Sequence, residues 1–465
     1  MKLRMTFREI SIRELKFIFI LFLFAFFFHL MLGNFQPIMV SDSPSYLQFK
    51  IGSTNEYFAA IRTPFYGWLA DLLNFIQKDY SLLPWLNFIS LLIGSYALII
   101  SSIQYGLSKE AAYSLGLCLP VSNPAILYVG CIMPEILSIS FGILGLSFIL
   151  IISSKTNLDL KMLFLASLCT CISYLMKPVF ALLIPFLSVL YLVLLNIRRT
   201  SSVYNLSRNA LILLIFLSLP LIVYSSIRLL KVDDFNIVSY SGVNSLGLSG
   251  QILDSETVTK LPFTHQKTAK IILKQKNNLE DLDILIRIPL NSTNRERLYS
   301  SAVVGYFDIF ARNYDHVTSI FPKLQKDNEN WVEFNHRMSQ FSKSVIYAEP
   351  IKYFLYIFGA TIRFFGLLVG ANASFVFFSL IFIIFIFVIV FAKKEILISE
   401  KEENGLRFPS IILIFIIVSA WILMNMIPSV LIAFPARRYV DNAGILMAAL
   451  PAYLFLRFFS AFRLG

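Results

Sequence analysis

The chain has 465 residues, 57% of them apolar (AVILMFWYC) and 15% charged, with 45 Phe and a mean hydropathy of +0.72. An ordinary soluble domain carries about 25% charged residues, so a soluble enzyme or a disordered scaffold is excluded; 19 Gly, 18 Pro and 4 Cys exclude collagen-like and disulfide-framework chains. The net charge of +12 comes from Lys and Arg scattered beside apolar runs, not from a basic stripe with interleaved aromatics, so it speaks of membrane topology and not of nucleic acid.

A bilayer-spanning helix needs about 20 mostly apolar residues. Ten runs qualify, at roughly 17–36, 82–103, 111–129, 134–153, 160–176, 178–197, 209–230, 372–392, 409–427 and 440–458. The first follows Lys2, Arg4, Arg8, Arg13 and Lys16 and has no small-x-small cleavage site behind it, which predicts an uncleaved anchor. With the N-terminus cytoplasmic, one set of short loops holds Lys109, Lys155, Lys161, Arg198, Arg199, Arg208, Lys393, Lys394, Lys401, Arg407, Arg457 and Arg463. The opposite set holds only Lys50, Arg62, Lys78, Lys177, Arg437 and Arg438, so positive residues place both termini inside. Lys177-Pro178 then forms a tight external turn between the fifth and sixth spans.

Residues 351–369 are apolar enough to span, yet counting them would put Lys393 and Lys394 outside. They are expected to lie on the outer leaflet as an interfacial helix with Lys352 and Arg363 snorkelling. Two external segments remain. One is the loop 37–80. The other, 231–350, is the only long polar stretch, balanced in acids and bases, with helical patterning over 264–285, 294–313 and 328–348. Asn291-Ser-Thr293 is a glycosylation sequon, relevant only in a eukaryotic secretory setting. The predicted fold is an all-α polytopic membrane bundle of about ten spans. Its parts are an N-terminal transmembrane module (1–230), an external α-rich domain (231–350) and the interfacial helix with the last spans (351–465).

The chemistry-bearing residues cluster at span ends on the outer side. In Val40-Ser-Asp42-Ser-Pro-Ser-Tyr46 either Asp42 or Ser43 reads as a helix cap, with Pro44 early in the helix and Tyr46 and Phe49 on its buried face, and Asp42 also reads as a carboxylate that takes a proton from a hydroxyl; the two roles are compatible. Arg62 and Lys177 read as snorkelling cations or as a phosphate clamp, the Arg as a fork and the Lys as a point charge. Arg437 and Arg438, before Tyr439, offer further cations at the same level. Glu135, at the start of the fourth span, is either a favourable charge at a helix N-terminus or a second acid facing the same cavity as Asp42. Cys118, Cys131, Cys169 and Cys171 read as small buried hydrophobes, and the four His are too dispersed for a metal site. HExxH, P-loop, GxGxxG and GxSxG patterns are absent.

In this order the features resemble the GT-C superfamily of membrane glycosyltransferases, in its protein-O-mannosyltransferase and aminoarabinose-transferase branch. The likeness rests on Asp42 and Tyr46 after the first span and on Arg62-Thr-Pro64-Phe-Tyr66. It continues in Pro134-Glu135, Lys177-Pro178 and Arg438-Tyr439 before the last span. It covers residues 1–230 best and the remainder in layout only. The resemblance implies transfer of a sugar from a polyprenyl-phosphate donor to a glycan, lipid or protein acceptor at the outer face of a bacterial cytoplasmic membrane. It implies Asp42 as general base assisted by Glu135, with Arg62, Lys177, Arg437 and Arg438 on the donor phosphate and Tyr46, Tyr66 and Tyr439 lining the pocket. Many relatives carry two acids in the first loop; here Ser41 and Ser43 flank Asp42, so metal-independent chemistry without a cofactor is expected. The competing readings are a polysaccharide polymerase or O-antigen ligase, and a lipid-linked glycan transporter.

Overall fold

The computed structural model describes residues 11–51, 56–155, 158–198, 203–281, 321–372, 375–376, 379–380, 409–431 and 437–463. Helix α1 (Ile12–Met31) starts at a capping box. Glu14 N–H donates to Ser11 Oγ, and Ser11 N–H donates to Glu14 Oε2 at 2.7 Å. Its far end is fixed by buried His29, whose Nε2–H donates to Pro120 O at 2.7 Å while Nδ1 accepts from Asn34 Nδ2 at 2.9 Å. The first loop folds into α2 (Ser43–Leu47) and α3 (Phe65–Ile76). Gly67 lets these two touch, since a Cβ there would stand 2.3 Å from Tyr46 O.

Next come α4 (Leu82–Tyr105), α5 (Lys109–Leu117), α6 (Asn123–Tyr128), α7 (Glu135–Ser154), α8 (Leu160–Met176), α9 (Leu183–Arg198) and α10 (Val203–Val232). Gly142 and Gly145 in α7 admit Trp421 and Thr170 at 3.2 and 3.0 Å from where a Cβ would lie. Small residues serve this role in lipid, where close approach of helices replaces the hydrophobic drive. Beyond α10 lie α11 (Ser241–Ile252), α12 (Ser255–Lys260), α13 (Phe263–Asp281) and α14 (Trp331–Ala348). They share a core that includes Val243, Leu246, Ile272, Phe334 and Phe341. The chain closes with α15 (Pro350–Ala371), α16 (Ser410–Leu431), α17 (Arg437–Ala443) and α18 (Ala449–Arg463).

Among the described residues eight helices are long and apolar enough to cross a membrane, and regular structure is helical apart from an isolated Ile38–Cys131 bridge. The protein is therefore a helical, multi-pass membrane protein. Two expectations change. The 111–129 run is not one helix: α5 and α6 are separated by turns through Pro120, and Ser122 caps α6 by accepting from Ala125 N–H. The broken segment still crosses the bundle, because Lys109 pairs with Glu14 at one end and Ile126 O accepts from Asn34 at the other. The 160–176 run forms α8 over the expected residues, 17 in length. Helix α15, expected flat on the surface, is one of the eight; Tyr353 donates to Leu431 O and Asn372 donates to Gly444 O, so it runs between α16 and the α17–α18 break. Lys352 does not snorkel there but pairs with Asp254 at 2.6 Å. The predicted span 372–392 and the Lys393, Lys394, Lys401 and Arg407 cluster lie almost wholly outside the described residues. So do the predicted helix 294–313 and the sequon.

Candidate functional site

The site forms at the end of the bundle that carries the first loop. Asp42 stands at the N-cap position of α2, but its side chain makes no cap hydrogen bond. The expected helix start is found, with Pro44 in its first turn, and Ser43 ties it to its surroundings, accepting from Val40 N–H at 3.0 Å and donating to Ile132 O at 2.9 Å. Asp42 Oδ2 instead accepts from Arg62 Nη2 at 3.2 Å, and Arg62 Nε donates to Ser45 Oγ at 3.3 Å. The guanidinium lies 4.9 Å from the Tyr46 ring centre and 6.0 Å from that of Tyr240, a cation–π setting that holds it in place.

The second pair is deeper. Glu135 opens α7 and Lys177 follows α8; Lys177 Nζ donates to Glu135 Oε1 at 2.9 Å, with the two residues only 5% and 1% exposed respectively. The ammonium lies 5.5 Å from the Tyr439 ring centre. Glu135 is therefore matched to a buried cation as well as placed at a helix start. Both predicted clamp cations carry a carboxylate partner.

Arg62 and Lys177 line one cavity of about 330 Å³, together with Tyr46, Tyr439, Tyr240, Asn236, Asn244 and Ser429 among others. Tyr66 is not among its lining residues. It is fully buried, edge-on to Tyr46 with ring centres 5.6 Å apart. Arg437 and Arg438 begin α17, and their side chains lie outside the described residues. A second, more open depression of about 800 Å³ borders the same loop, lined by Met39, Asp71, Lys78, Asp79 and Tyr80 among others. Among the described residues no three His, Cys, Asp or Glu side chains gather in a way that could hold a metal ion.

One wall of the 330 Å³ cavity comes from residues that the sequence does not flag. After α10 the chain turns at Asp233 (φ 57°) and runs back as 234–240. Fully buried Arg228 holds this loop, donating from Nη2 to Asp234 Oδ2 at 2.9 Å and to Ser239 Oγ at 2.7 Å, while its Nε and Nη1 have no hydrogen-bond partner. Burial pushes the Asp234 carboxyl up, but hydrogen bonds from Ser239, Asn236 and Arg228 outweigh it and hold it below the usual carboxylate range. The loop is buttressed by α14: Trp331 Nε1 donates to Ser239 O at 2.6 Å, and its ring stacks on Tyr240 with centres 6.3 Å apart. The only sequence signal for this latch is Arg228 in the last turn of a span with Asp233-Asp234 close behind.

Below the cavity a second discontinuous segment faces the α5–α6 break. The α17–α18 stretch passes through a 3₁₀ turn at Gly444–Leu446, and Cys118 Sγ donates weakly to Ile445 O at 3.6 Å. Asp441, 3% exposed, accepts from Asn123 Nδ2 at 2.8 Å and from the Tyr128 hydroxyl at 2.7 Å. The chain matches no known family model, no curated protein and no solved structure.

Proposed function

We propose that this protein is a membrane glycosyltransferase of GT-C type that transfers a sugar from a polyprenyl-phosphate donor to an acceptor hydroxyl. The observation that carries the reading is the convergence of two acid–cation pairs, Asp42–Arg62 and Lys177–Glu135, on one tyrosine-rich cavity at a single end of an apolar bundle. In this reading the lipid tail lies among the spans and the donor phosphate between Arg62 and Lys177, with Arg437 and Arg438 beginning the neighbouring helix. Asp42, adjoining the cavity through Arg62, takes the acceptor proton as the acceptor oxygen bonds to the anomeric carbon. The carbon–oxygen bond to phosphate breaks, its electron pair leaves with the lipid phosphate, and the anomeric centre inverts. The transition state is cation-like at the sugar, and the two cations stabilise the charge growing on the leaving phosphate. The acceptor enters along the open depression bordered by Met39 and Asp71. In this reading the site faces outward from the cytoplasmic membrane of a bacterium, and the excess of Lys and Arg in the opposite set of loops supports that orientation.

The test is transfer from a panel of radiolabelled polyprenyl-phosphate sugars in membranes, comparing wild type with Asp42→Asn. The expected result is release of lipid phosphate by wild type and a loss of about 10²–10⁴-fold in the variant. No turnover of any donor by intact protein in acceptor-rich membranes overturns the reading. One observation favours a second reading, a lipid-linked glycan transporter: two broken spans meet around the buried Asp441, as discontinuous helices do at transport sites. Movement of fluorescent polyprenyl-phosphate sugar across proteoliposomes, without bond cleavage, is the result that supports it.

A further inference from the structure

Resting on the glycosyltransferase reading for what the cavity does, we infer that Asp441 is a positioning residue. It hangs α17, which carries Tyr439, on the same short helix that holds the Asp42 loop, and so sets the distance between the base and the opposite wall of the cavity. The first ground is α17 itself. Seven residues (Arg437–Ala443) are too few for a helix to stand without outside support. Support comes from several sides. Val440 and Ala443, one turn apart, are buried in a cluster with Tyr356, Ala360 and Phe364 of α15. Asn442 O accepts from Trp421 Nε1 at 3.0 Å. Tyr439 lines the cavity beside Lys177. Asp441, two residues on, lies about 200° further around a helix of 3.6 residues per turn, on the side away from Tyr439. There it meets α6 with both carboxylate oxygens: Oδ1 accepts from Asn123 Nδ2 at 2.8 Å, and Oδ2 from the Tyr128 hydroxyl at 2.7 Å.

The chain just after α6 reaches the base. Ile38 N–H donates to Gly130 O at 2.8 Å, and Ile132 N–H donates back to Ile38 O at 3.0 Å. Ser43, next to Asp42 in the chain, donates from Oγ to Ile132 O at 2.9 Å. One brace thus carries both walls, Asp42 through Ile132 and Ser43, and Tyr439 through Asp441. These walls come from opposite ends of the chain, and α6 with its following segment joins them by hydrogen bonds.

This role asks for geometry and not for charge. The Tyr128 hydroxyl can accept as well as donate, and an amide carries one acceptor and one donor group. Asp441→Asn therefore keeps both contacts, its oxygen accepting from Asn123 and its NH₂ donating to Tyr128. Asp441→Ala loses both. An acid whose charge binds a transported ion or proton fails in either variant, which separates this assignment from the transport reading.

The test uses the full chain in nanodiscs, with steady-state transfer from a polyprenyl-phosphate sugar and hydrogen exchange of the free protein. Asp441→Ala is expected to lower kcat by about 10²-fold, the scale of a roughly 1 Å misplacement. The donor KM should change less, because Arg62 and Lys177 keep their own partners. Asp441→Asn is expected to restore most of the lost kcat. In Asp441→Ala the Ile38 and Ile132 amides are expected to exchange faster, with those of α12 and α13 unchanged. An Asn variant as inactive as the Ala one shows that charge is what matters and overturns the inference. So does an Ala variant with wild-type kcat, one whose KM rises as much as its kcat falls, or one with unchanged exchange at Ile38 and Ile132. If Asp441→Ala does not fold, Tyr128→Phe removes one of the two bonds and is held to the same criteria at smaller amplitude. Absence of transfer by wild type overturns the glycosyltransferase reading instead, and hydrogen exchange then still decides whether α6 joins the two walls.

Discussion

Lys177 and Glu135 give the sharpest test because structural and functional roles predict different outcomes for the same double variant. The pair is 2.9 Å apart and nearly excluded from solvent. At an effective dielectric constant of about 20 the Coulomb attraction at that distance is about 6 kcal/mol. Desolvation of both ions cancels much of it, so the intact pair adds little net stability. Removing one partner is different: a buried charge is left alone, at a cost of about 3–5 kcal/mol. That is a roughly 10²–10⁴-fold shift in the folding equilibrium. Lys177→Met and Glu135→Gln alone are therefore expected to lose that much in unfolding titrations in mixed micelles. Lys177→Met combined with Glu135→Gln is expected to recover most of it, since no unpaired charge remains. Donor binding should not recover, because the phosphate has lost its point charge. A double variant as unstable as the single ones would refute the electrostatic account. A stable double variant that binds a polyprenyl-phosphate hexose as wild type does would refute the phosphate role of Lys177.

Gly67→Ala should push α2 away from α3, since the new methyl would stand 2.3 Å from Tyr46 O and 2.7 Å from Phe49 Cβ; transfer activity is expected to fall by more than about tenfold while the helical circular dichroism signal is retained. Arg228→Met leaves Asp234 buried without its cation and frees the 234–240 wall. It is expected to cost about 3 kcal/mol and to raise the donor KM more than it lowers kcat, measured by steady-state transfer kinetics. At Asp254, burial pushes the carboxyl up, but Lys352 and Thr257 overcome that and hold it at about 2, against an unfolded value of 3.8. Its folded value is depressed, so the stabilisation of the α12–α15 junction is complete above about pH 4 and drains away as pH falls toward about 2. Hydrogen exchange at the start of α15 should accelerate over that window and not between pH 5 and 8.

The spans were readable because a helix in lipid must satisfy its own backbone and present apolar side chains all round, which leaves long uninterrupted runs. The α5–α6 break was hidden by the same logic. A hydropathy window averages over Pro120 and Pro124, whereas the backbone does not: Pro lacks the N–H that the helix interior needs. At helix α15 only the role of Lys352 changed: read as snorkelling from the loop charges, it pairs with Asp254, a partner that the sequence places 98 positions away. At the site, residue types were legible but partnerships were not. Nothing in the chain links Glu135 to Lys177, 42 positions on, or Asp42 to Arg62 across the loop. Arg228 escaped notice because an arginine in the last turn of a span reads as a flanking charge until the returning loop places Asp234 and Ser239 against it.

The pairing of each cation with an acid bears on how such a site works at a membrane boundary. Two unpartnered cations beside the hydrocarbon would be costly to bury, and Asp42 and Glu135 remove that cost before any donor arrives. Under the proposed reaction a donor phosphate approaching Arg62 would compete with Asp42 for the same N–H groups. Under the proposed reaction each N–H given to the phosphate releases a lone pair on Asp42 to receive the acceptor proton. The base would come into play when the donor is seated, and less so in its absence, which would limit proton abstraction from stray hydroxyls. The deeper pair is set differently, with Glu135 1% exposed and accepting from Lys177 at 2.9 Å. Its part is to keep Lys177 charged and aimed at the cavity. Under the proposed reaction the two acids named together from the sequence would divide, Asp42 changing partners and Glu135 staying with its cation.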